Sequence, residues 1–98
     1  MISIESTPRF AAWFQALRDV QAKRRIEARV DALSRGHSGQ HRVLQGGVVE
    51  LKLSFGPGYR VYYTRRGRQV ILLLSGGDKS TQQRDIREAI ALAAVLHA

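Results

Sequence analysis

Two short glycine-containing motifs carry the side chains of this chain that are best suited to bind or act on a ligand. The first motif reads FGPGYRVYY over residues 55–63, and the second reads GGDKS over residues 76–80. They supply Arg60 and Lys79, and the strand expected before the first motif adds Lys52. Arginine keeps its charge at any physiological pH, so Arg60 is the strongest candidate for holding an anion. Three cations in this arrangement favour a phosphate ligand.

The first motif is typical of a β-hairpin that turns at residues 56–58. Side chains alternate between the two faces of a strand, so the register decides which residues share a face. With Phe55 opposite Tyr59, the apolar face pairs Leu53 with Val61 and Leu51 with Tyr63. The other face then pairs Ser54 with Arg60, Lys52 with Tyr62 and Glu50 with Thr64. This register predicts an open, solvent-facing surface that carries Lys52, Arg60 and Tyr62, with the two cations on a diagonal.

The two motifs also carry a family resemblance. GPGYRVYY at 56–63, GGDKSTQ at 76–82 and the following Asp85-Ile86 closely resemble the HigB-like addiction-module killer proteins of the RelE/ParE toxin superfamily. The resemblance implies a ribosome-dependent mRNA endoribonuclease that inhibits translation in the cytoplasm. It also implies a small helix-turn-helix antitoxin as partner, beside the ribosome and mRNA, and an α+β, RelE-like fold in the order β-α-α-β-β-β-α.

The resemblance gives roles to individual residues. Arg60 matches the arginine that holds the scissile phosphate, and Lys79 matches a basic residue placed after the last strand. The counterpart of Lys52 binds phosphate or transfers a proton. Several RelE-type toxins use a C-terminal tyrosine on the RNA, but the last helix here has none, so Tyr62 is a candidate substitute. Glu50 stands where some members carry a cation, and it is open to two interpretations: a general base, or an ion-pair partner of Lys52 or Arg65.

A polyanion partner is also indicated by the charge of the chain. It carries 16 Lys and Arg against 8 Asp and Glu, a net charge of +8, and 13 of the 16 cations are arginine. Arginine suits bidentate recognition of phosphate. The second helix bears a basic stripe that we expect to contact a large polyanion, formed by Lys23, Arg24, Arg25 and Arg29. The family resemblance identifies this polyanion as ribosomal RNA. His41, in an expected loop, is a further candidate for an approach to RNA.

Length and composition set further expectations. The 98 residues are expected to form a single domain, 1–98, and the chain has no cysteine. None of the three histidines is spaced for metal binding, so no metal and no cofactor are expected. The longest apolar run, at residues 70–74, is too short to span a bilayer, and no signal peptide is recognisable. A cytoplasmic protein is expected.

The elements that must position the motifs follow from local signals. Thr7 and Asp19 are expected to cap two helices that form an N-terminal hairpin, after an edge strand at residues 1–6. Residues 36–47 are expected to be a loop, before three strands at about residues 48–55, 59–65 and 69–75. Ser80 is expected to cap the last helix, with Gln83 completing a capping box. The result is a small, mainly antiparallel sheet with an N-terminal helical hairpin and a C-terminal helix.

Two other functions are compatible with the same fold. ParE-like members of the superfamily poison DNA gyrase and lack the basic catalytic set, so Lys52, Arg60 and Lys79 argue against that activity. A non-catalytic RNA-binding relict is favoured if Glu50 and the missing terminal tyrosine have abolished turnover. A fold alone does not decide between these functions.

Overall fold

The computed structural model describes residues 2–97. Its helices and strands are, in order, β1 (Ser3–Ser6), α1 (Pro8–Ala16), α2 (Val20–Ser34), β2 (His41–Val43), β3 (Val48–Lys52), β4 (Arg60–Arg66), β5 (Val70–Gly77) and α3 (Gln82–Leu96). Short 3₁₀ turns at Gln45–Gly47 and Lys79–Thr81 precede β3 and α3. The expected start of β1 at Met1 lies outside the described residues.

The strands form one five-stranded sheet in the order β1-β5-β4-β3-β2. β1 is parallel to β5, and the other neighbours are antiparallel, so the predicted α+β, mainly antiparallel sheet is confirmed. Residues 70–74 show no alternation of apolar and polar side chains, a pattern typical of a strand that is covered on both faces. Residues 71–75 are indeed buried. A bulge between β4 and β5 lies at Tyr62/Tyr63.

Helices pack on both faces of the sheet and define two separate cores. α1 and α2 cover one face, where Phe10, Ile26 and Leu33 meet side chains that include Leu51, Val61 and Tyr63. α3 covers the other face, where Ala89 and Ala93 meet a cluster formed by Val48, Tyr62, Leu72 and Leu74. The small alanine side chains let α3 approach the strands closely.

The observed register of the β3–β4 hairpin differs from the predicted one by two residues. Lys52 pairs with Arg60 and Leu51 with Val61, and the backbone N–H of Leu53 donates to the carbonyl of Tyr59 at 3.0 Å. Phe55 belongs to the turn because its carbonyl accepts from the N–H of Gly58 at 3.0 Å. A shift of two residues keeps every side chain on its predicted face but changes its partner. Lys52 therefore lies directly opposite Arg60 rather than on a diagonal from it.

The helix starts were predicted with mixed success. Thr7 caps α1 by accepting from the N–H of Phe10 at 3.1 Å, and Asp19 caps α2 through the N–H groups of Gln21 and Ala22. The capping box at Ser80 is wrong, because Asp78 caps the 3₁₀ turn instead and α3 begins at Gln82. The expected loop at residues 36–47 also contains β2, whose residues are all exposed and so lack an apolar alternation.

The two glycines at the end of β5 allow helices to approach the strand from both sides. A Cβ atom on Gly76 would overlap the ring of Trp13 from α1, and one on Gly77 would overlap the carboxylate of Asp85 from α3. The Gly76-Gly77 pair of the second motif is therefore a packing requirement. Among the helices of residues 2–97, none combines the length and the apolar character needed to cross a membrane.

Candidate phosphate-binding site

Three cations come together at one end of the sheet, where β3 ends, β4 begins and β5 ends. Arg60 is the first residue of β4 and pairs with Lys52 on one side and with Gly77 on the other. Lys79 follows two residues after Gly77, in the 3₁₀ turn that leads into α3. Among the ion pairs formed within residues 2–97, none involves these three cations. Their charges are therefore available to an external anion.

The turn before β4 holds the guanidinium group of Arg60. Its Nη1 donates to the carbonyl of Gly58 at 2.9 Å and to that of Tyr59 at 3.2 Å. Its Nε is buried and has no partner within the described residues. Arginine has five N–H donors, and these two bonds engage one nitrogen only. The guanidinium is thus oriented by its own backbone, while Nη2, which makes no hydrogen bond within residues 2–97, remains for a ligand.

Lys79 is held against the same turn. Its backbone N–H donates to the carbonyl of Pro57 at 3.3 Å. A Cβ atom on Gly58 would lie 3.3 Å from the Cβ of Lys79 and 3.4 Å from Nη1 of Arg60, so Gly58 lies between the two cations. The φ of Gly58 is also positive, at 78°, which favours glycine here. Gly58 therefore lets the turn fit between Arg60 and Lys79.

Asp78 orders the 3₁₀ turn that carries Lys79. Its Oδ1 accepts from the backbone N–H of Ser80 at 2.8 Å, so this acid is a turn residue. The next acid along the chain, Asp85, is buried and accepts from the hydroxyl of Thr81 at 2.5 Å. Both carboxylates are occupied by local hydrogen bonds, which leaves the cations as the exposed charge of this end of the sheet.

Glu50 and Tyr62 do not lie on an open surface, and their expected placement is wrong. Both side chains are 0% exposed because α3 packs over this part of the sheet. The hydroxyl of Tyr62 donates to Oε2 of Glu50 at 3.1 Å, and Nε2 of Gln82 donates to the same oxygen at 2.9 Å. Burial, followed by the nearby Glu50 carboxylate, raises the pKa of Tyr62 above its ordinary value. Tyr62 cannot stack on RNA from this position.

The ion-pair partner of Glu50 is also different from either residue expected. Oε1 of Glu50 lies 3.2 Å from Nη2 of Arg42, on the neighbouring strand β2, and not beside Lys52 or Arg65. The Arg42 side chain is 48% exposed, so it closes the outer side of a carboxylate that is otherwise enclosed. A buried, hydrogen-bonded carboxylate has no direct access to a ribose hydroxyl, so Glu50 holds the sheet and α3 together.

The basic stripe on α2 divides into residues with different contacts. Arg29 was expected to bind RNA, but its guanidinium donates to three backbone carbonyls: Lys52 at 2.6 Å, Gln40 at 2.9 Å and Ser38 at 3.0 Å. Burial lowers the pKa of Arg29. It ties α2 to β3 and to the segment before β2, and its donors are used within the fold.

The other three cations of the stripe are more accessible. Arg24 and Arg25 are exposed, and the Arg25 guanidinium lies over the ring of Phe55, 4.5 Å from its centroid. Lys23 is partly exposed, and its Nζ lies 3.3 Å from the carbonyl of Gln15 and 5.6 Å from the centroid of the Phe14 ring. Arg24 and Arg25 therefore present most of the charge of this helix face to solvent.

His41 belongs to β2 and not to a loop. Its side chain is exposed, and its Nδ1 lies 2.8 Å from the carbonyl of Gly39. It pairs with Leu51, and directly paired residues point to the same face of a sheet. His41 consequently lies on the opposite face from Lys52 and Arg60. Within residues 2–97, no three His, Cys, Asp or Glu side chains cluster in a way that could hold a metal ion.

Sequence reasoning missed the polar network under α3. Arg42, Tyr62 and Gln82 all contact the carboxylate of Glu50 between the helix and the sheet, and a separate hydrogen bond joins Thr81 to Asp85 at the start of the helix. The available signal was the cluster of polar residues at the start of an otherwise apolar helix, at residues 81–85. Because the network fixes the start of α3, it also fixes the turn that presents Lys79.

The topology defines a class of fold that is known from solved structures. A chain from the crystal structure of the intact E. coli RelBE toxin–antitoxin complex is similar to this one with a TM-score of 0.65 and 16% sequence identity. The similarity covers 80% of this chain and 96% of that one. The fold is therefore RelE-like, as the motifs predicted.

The sequence defines the family more closely. Residues 12–96 match the family described as phage-derived protein Gp49-like, and the chain belongs to that family. An uncharacterised protein of Haemophilus influenzae is 40% identical over 92 residues, which cover 94% of this chain and 93% of the relative. Membership of the narrower HigB-like branch stays a prediction from the motifs.

Proposed function

We propose that the protein is the toxin of a toxin–antitoxin pair and that it cleaves mRNA on the ribosome. The observation that carries this proposal is the convergence of Lys52, Arg60 and Lys79, with Arg60 oriented by two carbonyls of its own turn. A pre-oriented guanidinium beside a second cation suits a pentavalent phosphorane, on which negative charge increases in the transition state. The family and the RelE-like fold support the same class of activity.

The proposed reaction is a transesterification within the RNA. The 2′-oxygen of one ribose attacks the adjacent phosphorus, the bond to the 5′-oxygen breaks, and a 2′,3′-cyclic phosphate remains. Arg60 and Lys79 stabilise the phosphorane, and Lys52 donates a proton to the leaving 5′-oxygen. Water accepts the proton of the 2′-hydroxyl and later restores that of Lys52. Glu50 and Tyr62 take no direct part, because both are enclosed under α3.

The same arrangement accounts for dependence on the ribosome. Among the described residues, no exposed His, Tyr or carboxylate without a local partner lies beside the three cations. Stabilisation of the phosphorane alone leaves the alignment of the 2′-oxygen to be supplied from outside, and the ribosomal A site is proposed to supply it. The net charge of +8 favours binding to ribosomal RNA, with Arg24 and Arg25 as contacts. The protein would therefore act in the cytoplasm.

A small helix-turn-helix antitoxin is proposed as the partner that keeps the protein inactive. The similar solved structure is named as a toxin–antitoxin complex, which supports a partner of this functional class. A toxin with 16 cations also favours a partner that supplies acidic side chains near the site.

Growth inhibition by Arg60 variants tests the proposal. Removing one transition-state donor typically lowers the rate about 10²–10³-fold. Arg60→Ala and Arg60→Lys should both relieve growth arrest, the second because a lysine does not reproduce the fixed, planar donor set. The matched control is Arg68→Gln, which also removes one arginine but lies in the exposed turn at the opposite end of β4. This variant should remain toxic. Folded Arg60→Ala protein that still arrests translation at the wild-type rate would refute the proposal, and gyrase poisoning would indicate the ParE-like activity.

A further inference from the structure

A small groove lies between α2 and the end of β3, beside the tip of the β3–β4 hairpin. Its volume is about 260 Å³, and it is lined by Arg25, Ala28, Arg29, Leu53, Ser54 and Phe55. We call it the α2–β3 groove. Sites for whole small-molecule ligands run from about 300 to 1,000 Å³. The groove is therefore of a size to take one planar ring system.

An aromatic ring and a guanidinium form one wall of the α2–β3 groove. Phe55 is partly exposed, and the guanidinium carbon of Arg25 lies 4.5 Å from its ring centroid. The ring is supported from behind by Tyr59, with centroids 5.5 Å apart. Exposed aromatic faces and arginine planes are the groups on which single-stranded bases stack in RNA-binding proteins. The residue types of this wall fit a nucleobase.

The rest of the groove is rigid and has a polar edge. Arg29 cannot swing across it, since three backbone carbonyls hold its guanidinium. Ser54 lies on the rim, and its hydroxyl donates to Oε1 of Gln40 at 3.0 Å. A hydroxyl and an amide side by side offer both donors and acceptors to the edge of a base. The groove thus combines a stacking wall with a hydrogen-bonding rim.

The hairpin tip joins the α2–β3 groove to the cation site. The carbonyl of Phe55 accepts from the N–H of Gly58, which lies between Arg60 and Lys79. The carbonyl of Lys52 is bonded to Arg29, which lines the groove. A strand that places a phosphate on Arg60 and passes around the tip would bring a neighbouring base to Phe55.

Charge distinguishes this groove from a second apolar groove, which lies between β1, α1 and α2. That groove, of about 320 Å³, is lined by two acids, Glu27 and Asp31. The α2–β3 groove contains no acid among its lining residues and two arginines. Of the two, only the α2–β3 groove complements a polyanion.

We propose that the α2–β3 groove binds one nucleobase of the RNA whose phosphate lies on Arg60, with Phe55 and Arg25 as its stacking residues. The inference rests on the proposed function, because it takes single-stranded RNA as the ligand. It adds a contact to a base, beside the contacts to the sugar–phosphate backbone, and so makes this groove a determinant of which nucleotide is presented for cleavage.

Binding of two matched oligonucleotides tests the inference without any cleavage. The probes are a short oligouridylate and an abasic oligoribonucleotide of the same length and charge, each carrying one fluorophore and titrated at low salt by fluorescence anisotropy. NMR shifts of the Phe55 ring locate the base in the wild-type protein. Stacking of one base strengthens binding about 5- to 150-fold. Wild-type protein should therefore prefer the oligouridylate by that factor. Phe55→Leu and Arg25→Gln should reduce the preference towards one, whereas Arg68→Gln should weaken both probes equally.

The results of this experiment test the base site separately from the proposed nuclease activity. Equal binding of the two probes, or no saturable binding of oligouridylate at millimolar concentration, overturns the base site. A base preference that persists in Phe55→Leu places the base elsewhere and also overturns it. Thermal unfolding of each variant checks that the fold is intact. If the preference holds but translating ribosomes yield no cleavage, the α2–β3 groove stands and the proposed nuclease activity fails.

Discussion

Lys52 and Arg60 lie directly opposite each other on neighbouring antiparallel strands. Both side chains are only partly exposed, and no carboxylate within residues 2–97 forms an ion pair with either. Like charges in this position destabilise a sheet. A fold that keeps such a pair, with Lys79 beside it, is suited to the binding of an anion at this end of its sheet.

Replacing Lys52 should separate stability from activity. Lys52→Gln removes the repulsion across the strands and should raise the free energy of unfolding by about 0.2–1 kcal/mol. The same change removes the proposed proton donor, so toxicity should fall. Urea unfolding and a translation assay measure the two effects. A variant that loses both stability and activity would show that Lys52 serves the fold and not an anion.

Tyr62 should make the protein sensitive to alkaline pH. Its pKa is raised in the folded state, by burial first and then by the Glu50 carboxylate, from the ordinary value of 10.0. A raised pKa contributes stability that is fully present below about pH 10 and is lost as the pH rises, because the unfolded chain then releases the proton first. Tyr62→Phe should be less stable at neutral pH, having lost the bond to Glu50, but its stability should fall less steeply above pH 10. If the free energy of unfolding fell equally steeply with pH in the wild-type protein and in Tyr62→Phe, this account would be contradicted.

Glu50 should be required for the fold rather than for the chemistry. Glu50→Gln removes the buried charge that faces Arg42 and disturbs the bonds from Tyr62 and Gln82. The expected loss of stability is about 1–3 kcal/mol. Cleavage by the folded fraction should be nearly unchanged. Full stability together with abolished cleavage would restore Glu50 as the general base.

Gly77 should be coupled to Asp85. A methyl group at Gly77 would overlap the Asp85 carboxylate, so Gly77→Ala should be destabilising and should shift the start of α3. Asp85→Ala alone leaves the hydroxyl of Thr81 without its acceptor. The double variant should be more stable than the sum of the two changes, because the overlap is gone. Additive effects in a double-mutant cycle would exclude the close approach.

The cations of α2 should divide into one structural residue and accessible binding residues. Arg29→Gln loses bonds to three backbone carbonyls and should lower the free energy of unfolding by at least about 1.5 kcal/mol. Arg24→Gln should leave stability unchanged but weaken ribosome binding and reduce its salt dependence by about one counterion. Sedimentation with ribosomes at several salt concentrations, beside urea unfolding, distinguishes the two roles. Identical behaviour of the two variants would contradict the division.

The sequence predicts local features of this fold better than its long-range contacts. The caps at Thr7 and Asp19 depend on residues two or three positions away, and both are confirmed. The face of each hairpin residue also follows from alternation alone. The register was predicted wrongly because the positions of the glycines do not determine the last pair of the hairpin. The hydrogen bond from the N–H of Gly58 to the carbonyl of Phe55 places Phe55 in the turn, so Leu53 and Tyr59 form the last pair.

Which residues belong to the exposed site depends on which face of the sheet α3 covers. The apolar positions of α3 are typical of a helix with one buried face, but no local feature of the sequence indicates that this face packs over Glu50 and Tyr62. Once α3 is placed, the two side chains are enclosed and bond to each other. The role of Arg29 was hidden for the same reason, because its carbonyl partners lie 9 to 23 residues away in the chain.

The central claim is tested most directly by mapping RNA ends after incubation with purified protein. One sample holds an mRNA on translating ribosomes, and the other holds the same mRNA alone with and without a chelator. We predict discrete cuts with 2′,3′-cyclic phosphate ends on the ribosome, negligible cutting of free mRNA, and loss of the cuts in Arg60→Ala. Efficient, chelator-sensitive cleavage of free mRNA, or unchanged cuts in Arg60→Ala, would contradict the account.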